Sequence, residues 1–180
     1  LYFALPATLG LIILGSPLTS ALFQNRTFTD VSTGMVAWAL TWYAIGLVPH
    51  SVVEVINRAF FALKDTRTPV TIGILAMLVN VALSVVLSTA FERWQLAPHG
   101  GLALANTIAT SLEMVAMLWM LRSKVSYLHG RQIAASAARV GVGVVGMGAA
   151  LWGWLAIAPG SDLIISLVGV PLGACTFWVL

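Results

Sequence analysis

Three sets of polar residues could do chemistry in a chain that is otherwise apolar. His50, Glu54 and Arg58 recur at i, i+4 and i+8, one stripe of a helix, with Asn57 beside them. Asn106, Thr110 and Glu113 form a second stripe, and Asn80, Ser84 and Ser88 a third without charge. Glu54 lies about 15 Å along a helix axis from Lys64, and Glu113 about 14 Å from Arg122. Both carboxylates therefore sit well inside any membrane that the flanking cations touch. A charge at the centre of a spanning helix costs about 2.5–3.5 kcal/mol on insertion scales, so such groups face a helix interface or a wet cavity. One reading is a polar path that handles ions or a charged headgroup. The other is structural: Glu54 pairs with Arg58 along its own helix, and the Asn, Ser and Thr residues join helices. Glu113 has no partner close in sequence.

The elements that must position these groups are long charge-free runs. Asp, Glu, Lys and Arg are absent from 1–25, 31–53, 68–91, 94–112, 140–161 and 163–180. With 59% hydrophobic and 8% charged residues and a mean hydropathy of +0.96, this is a membrane chain. Strands of a membrane barrel alternate at period two and are shorter than these runs. The reading is an all-α, polytopic transmembrane bundle of about six helices: 2–23, 31–63, 69–90, 101–121, 133–157 and 163–180, the last truncated. Pro17 should kink the first. Gly46 and Pro49 should break or bend the second. Thr68 should cap the third, with Pro69 at its first position. The chain opens and closes inside apolar runs without a starting Met, which reads as a piece of something longer.

Basic residues orient the helices. Arg58, Lys64 and Arg67 flank the second turn, and Arg122, Lys124, Arg131 and Arg139 flank the fourth, against Arg26 and Arg93 on the other side. The positive-inside rule puts the second and fourth turns in the cytoplasm. Basic excess of this kind points to loop orientation and not to nucleic acid. Cys175 is alone, and His50, His99 and His129 lack ligand spacing, so neither a disulfide nor a metal site is expected. Gly141-x-Gly143-x-x-Gly146 fits a dinucleotide fingerprint by letters but follows no strand. Gly141, Gly143, Gly146 and Gly148 read better as a face for close helix packing. Trp152 and Trp154 read as an interface belt, and Asn25-Arg26-Thr27 as a chance sequon.

At VEVINRAFFALKDTRTPV the chain resembles the MurJ/MviN family, the lipid II flippases of the bacterial cytoplasmic membrane. The residues that carry this are Arg58, Phe61, Ala62, Asp65, Thr66, Thr68 and Pro69. Leu5-Pro6-Ala7, Gly10-Leu11, Pro17-Leu18, Leu22-Phe23 and Phe28-Thr29 add to it, as do Gly101 to Ala105 and Asn80. The resemblance covers about 1–125. It implies the ninth to fourteenth helices of a two-lobe, fourteen-helix transporter: 1–122 in the second lobe, 123–132 a cytoplasmic linker, and 133–180 two added helices that help form a groove for a polyprenyl tail. It also implies a function: moving an undecaprenyl-pyrophosphate-linked peptidoglycan precursor between leaflets by alternating access, with no covalent chemistry. No cofactor is implied beyond a membrane potential or an ion gradient. The implied partners are the lipid-linked precursor, membrane lipids and cell-wall synthesis or division proteins.

Ser84 stands where some members place a carboxylate one turn from the Asn of helix 3, which speaks against a sodium site of that type. The expected roles are Arg58, Lys64 and Arg67 at the cytoplasmic mouth, drawing in the anionic headgroup, and Glu54 and Glu113 in gating or coupling. His50, Asn57, Asn80, Asn106 and Thr110 complete the candidate path. Alternatives within the superfamily are an exporter of other polyprenyl-linked saccharides or a drug/cation antiporter. A scaffold that does not transport is a further one. A metal-dependent transferase would need acidic clusters on a cytoplasmic loop, and the cytoplasmic loops offer only Asp65.

Overall fold

The computed structural model describes residues 2–23, 30–124, 130–157 and 162–179. Every element among them is a helix: α1 (Ala4–Phe23), α2 (Asp30–Ala62), α3 (Arg67–Arg93), α4 (Pro98–Lys124), α5 (Gly130–Ile157) and α6 (Asp162–Val179). Five are long and apolar enough to cross a membrane. The described apolar part of α6, Ile164–Trp178, is shorter than a span. The sequon at Asn25, His129, the middle of the 123–132 linker and the turn at Pro159 to Ser161 lie outside the described residues. The chain divides into two compact units, Leu1–Ala44 with Arg131–Leu180, and Ile45–Gly130.

In the second unit, α3 and α4 form an antiparallel hairpin. α3 ends on a six-to-one and a five-to-two backbone bond: Leu96 N–H to Phe91 O at 2.9 Å and Gln95 N–H to Glu92 O at 3.1 Å. Gln95 between them takes φ 56°, the left-handed conformation in which glycine is usual. α4 then starts on Pro98, three residues before the expected Gly101, because proline's fixed φ and missing N–H suit a first helical position. Near this loop the two backbones touch. A Cβ on Gly101 would stand 2.7 Å from the carbonyl oxygen of Leu87 and 2.9 Å from the amide of Ser88. Replacing Gln95 by glycine relieves the left-handed strain and is expected to stabilise the protein by about 1 kcal/mol. A rise in the melting temperature of the purified parent protein checks this.

The C-terminal half of α2 lies on the hairpin. Val53, Ile56 and Phe60, at i, i+3 and i+7, pack with Ile72 of α3 and with Met117 and Leu121 of α4. Phe60 and Met117 are fully buried. Lipid tails are as apolar as these side chains, so packing and not water exclusion favours the contact. α2 runs unbroken through Gly46 and Pro49, so of the expected break or bend there is no break. Membrane helices tolerate such residues when neighbours supply contacts, and here Gly46 presses on α4. A Cβ there would sit 2.8 Å from the Thr107 hydroxyl.

In the first unit, Leu14 of α1, Met147 and Leu151 of α5 and Phe177 of α6 form the core. The Thr8 hydroxyl donates to the Ala44 carbonyl of α2 at 3.1 Å. The α5 glycines are not one packing face: Gly143 meets the Phe177 ring and Gly148 meets Leu9, but Gly141 faces open space. Trp152 is exposed as a belt residue would be, whereas the indole of Trp154 donates to the Ile165 carbonyl of α6 at 3.3 Å.

Candidate functional site

The candidate residues fall into three groups along the second unit. The stripe of α2 points away from its packed face. Spacing sets His50, Glu54, Asn57 and Arg58 about a third of a turn round the helix from Val53, Ile56 and Phe60. His50 is exposed and Asn57 half-buried. Arg58 donates to the Glu54 carboxylate at 2.6 Å, and the two side chains are 76% and 68% exposed. The pair foreseen from the i, i+4 spacing is therefore formed, on a face that no other element of this unit covers.

The second group is the seam between α3 and α4. The Asn80 amide donates to Asn106 Oδ1 at 3.2 Å, and the Ser84 hydroxyl donates to Asn80 Oδ1 at 3.3 Å. Thr110 is buried one turn further along α4. Glu113 is half-buried beyond it, its carboxylate against Gly73 of α3, and His50 lies within electrostatic reach. The neighbours that Glu113 lacks in sequence thus come from two other helices. Ser88, the last member of the third stripe, turns to its own backbone and donates to the Val85 carbonyl.

The third group is the turn between α2 and α3. α2 ends as α3 does: Asp65 N–H bonds Phe60 O at 3.0 Å and Lys64 N–H bonds Phe61 O at 2.9 Å, with Lys64 at φ 57°. The cap of α3 differs from the expectation. Thr68 is not the cap; the N-cap position is Thr66, whose side chain makes no capping bond, and the carboxylate of Asp65 just before it does the capping. Its Oδ1 accepts the Thr68 amide at 3.1 Å and its Oδ2 accepts the Thr68 hydroxyl at 2.6 Å. Pro69 is buried within the first turn. A carboxylate suits this end because it meets both the free amides and the positive end of the helix dipole.

The Lys124 ammonium, at the end of α4, donates to Asp65 Oδ2 and stands 5.6 Å over the Phe60 ring. Neither Asp65 nor Lys124 was among the candidates drawn from sequence. A signal was there, since Arg67 and Lys124 are equally distant in sequence from the α3–α4 loop, as the two ends of a hairpin must be. Lys64 and Arg67, which were candidates, are exposed. Neither makes an ion pair among the described residues.

The bond from Lys124, with those from Thr68, holds the Asp65 carboxyl well below the usual carboxylate range. The sign follows: this contribution to stability is complete above the group's ordinary pKa, near 4, and is lost as pH falls below it. Asp65→Asn is therefore expected to lower the melting temperature of the parent protein at pH 7. The gap to wild type should begin to narrow as pH drops below about 4 and close only at still lower pH, below the depressed pKa of the folded state. A gap that stays constant from pH 7 to pH 3 would assign the effect to something other than the charge.

The first unit contributes a groove of about 490 Å³ whose wall is almost wholly apolar and carries no charged side chain. Phe3, just before α1, and Leu11 and Leu18 of α1 line it with Val170, Ala174 and Trp178 of α6. Its chemistry suits a hydrocarbon chain.

Comparison with known proteins fits this arrangement. Residues 1–168 match the family described as Lipid II flippase MurJ. The chain is 29% identical to the "Probable lipid II flippase MurJ" of Vibrio cholerae serotype O1 over 84% of its own length and 28% of that protein's. It is 31% identical to the "Lipid II flippase MurJ" of Burkholderia cenocepacia, over 69% of this chain and 23% of the relative. The protein of the same name from Thermosipho africanus is 27% identical, over 68% and 25%. The chain thus spans less than a third of the length of these relatives.

Proposed function

The chain belongs to the MurJ lipid II flippase family, and from that premise we propose that it forms part of a transporter carrying lipid II across the bacterial cytoplasmic membrane. The cargo is a peptidoglycan precursor joined to undecaprenol through a pyrophosphate. Its headgroup is too polar to cross hydrocarbon unaided, which is the barrier that the protein removes. Alternating access leaves the tail in lipid while the headgroup passes through a polar cavity. No bond is made or broken, and the membrane potential or an ion gradient drives the cycle.

The observation that carries this reading is the α2 face, where an ion pair stands uncovered on a helix of spanning length. Charges so placed need water or a polar cargo beside them. Arg58, Lys64 and Arg67 draw in the pyrophosphate at the cytoplasmic mouth, Glu54 and Glu113 act in gating or coupling, and the Asn80–Asn106 contact keeps α3 on α4. The groove of α1 and α6 takes hydrocarbon of the tail. The test uses the full-length parent gene, expressed in a bacterium whose own lipid II flippase can be shut off. Appearance of lipid II on the outer leaflet supports the reading. Good membrane expression without it overturns the choice of cargo.

A further inference from the structure

We propose that Lys124 and Asp65 are a positioning pair, holding the α2–α3 turn so that Lys64 and Arg67 meet the phosphates of an anionic lipid headgroup without a carboxylate to neutralise them. This rests on the flippase reading and adds two residues to it.

The turn carries one acid, Asp65, between two cations, Lys64 and Arg67. Left to its neighbours, that acid would cancel one of them. Its oxygens are instead committed elsewhere. Oδ1 accepts from the Thr68 amide, and Oδ2 accepts from the Thr68 hydroxyl and the Lys124 ammonium. The neutralising charge thus comes from a helix end that is remote in sequence.

Lys124 is poorly suited to bind a ligand itself. It is held over the ring of fully buried Phe60, and its ammonium lies 3.5 Å from the Thr68 hydroxyl as well. Lys64, Arg67 and Arg122 stay exposed and make no ion pair among the described residues. The backbone beneath Lys64 is pinned on both sides by the bonds that close α2, and Arg67 stands in the first turn of a capped helix. Cations on a fixed backbone lose less freedom on binding. A lysine point charge beside an arginine fork suits phosphate oxygens.

Exposed Phe61 and Leu63 precede Lys64 on the same turn. Apolar side chains next to the cations favour a phosphate carried on a lipid over one free in solution.

The experiment titrates lipid II into the full-length parent protein in nanodiscs of zwitterionic lipid. Lys124→Gln is expected to raise the half-saturating concentration roughly fivefold, as loss of a charge-assisted contact would. Lys124→Arg should stay near wild type. The double variant Lys64→Gln/Arg67→Gln should show the same rise, and adding Lys124→Gln to it should change nothing further, because Lys124 acts through those two residues. If Lys124→Gln fails to fold, Lys124→Met replaces it, keeping the packing on Phe60 but losing the charge, with the same rise expected. An unchanged half-saturation, or losses that add, overturns the positioning role.

Two further arms separate the sources of phosphate. Inorganic pyrophosphate that competes as well as the lipid overturns the lipid-borne assignment. Phosphatidylglycerol in the disc that abolishes the dependence on Lys124 overturns the assignment to this headgroup. Failure of the wild type to bind lipid II is a separate result: it sinks the flippase reading and takes the inference with it.

Discussion

Gly101→Ala is expected to be the most damaging single-methyl change in the second unit. The added Cβ would meet the backbone of α3 at Leu87 and Ser88, 2.7–2.9 Å away. No rotamer change can relieve a clash with backbone, so α4 must shift as a body and loosen the contacts that the hairpin makes along its length. Overpacking of this kind costs about 1–3 kcal/mol, and this site belongs at the upper end. Three other glycines serve as controls. A methyl on Gly148 meets only the flexible end of Leu9, so the cost is small. Gly141 and Gly153 have open space, and alanine there should gain about 0.5–1 kcal/mol of helix stability. Melting temperatures of the four variants of the parent protein give the test. Equal values for Gly101→Ala and Gly153→Ala would show that the two backbones do not approach as described.

The largest functional effect is expected at Arg58 and Glu54, and magnitudes decide how to read it. In hydrocarbon, removing one partner strands the other at a cost of about 2.5–3.5 kcal/mol, and the protein would be lost from the membrane. On a wet face the same exposed pair is worth about 0–1 kcal/mol, so abundance would hold. The flippase reading requires the wet face. Arg58→Gln and Glu54→Gln are therefore expected to keep normal membrane abundance while outer-leaflet lipid II falls about tenfold or more, as it would on losing a contact of about 1.4 kcal/mol or more in the crossing state. The opposite pattern is equally clear. Loss of each single variant from the membrane, with recovery when both positions are made leucine, would place the stripe against lipid and leave the pair a structural one.

Much of the fold was legible in the sequence because a membrane writes it in large letters. Charge-free runs of spanning length gave each helix to within a few residues. The Glu54–Arg58 pair followed from spacing on a single helix. What could not be read depends on neighbours. The Thr-Pro of the α3 start resembles a cap and first turn, yet the carboxylate of Asp65 is the better acceptor at a helix N-terminus and does the capping. Pro49 suggests a break or a bend when α2 is considered alone, yet the helix is continuous, with Gly46 set close against Thr107 of α4. Lys124 was counted only as one more cytoplasmic cation, because the partner that defines it is remote along the chain. Glu113 was isolated in sequence for the same reason.

The α3–α4 hairpin also bears on how the chain enters the bilayer. α3 has the highest mean hydropathy of the five spanning helices, while α4, which holds Asn106 and Glu113, shares the lowest with α2. α4 is thus a poor candidate for partitioning alone. Its seam is made with the helix synthesised just before it, through a loop of four residues between Arg93 and Pro98. The Asn80–Asn106 bond and the backbone contact at Gly101 can form as soon as α4 leaves the ribosome. α3 is thus expected to give α4 a partly polar surface to enter against. Insertion efficiency of α4 in a translocation assay is accordingly expected to fall when α3 is replaced by an unrelated apolar span of equal length.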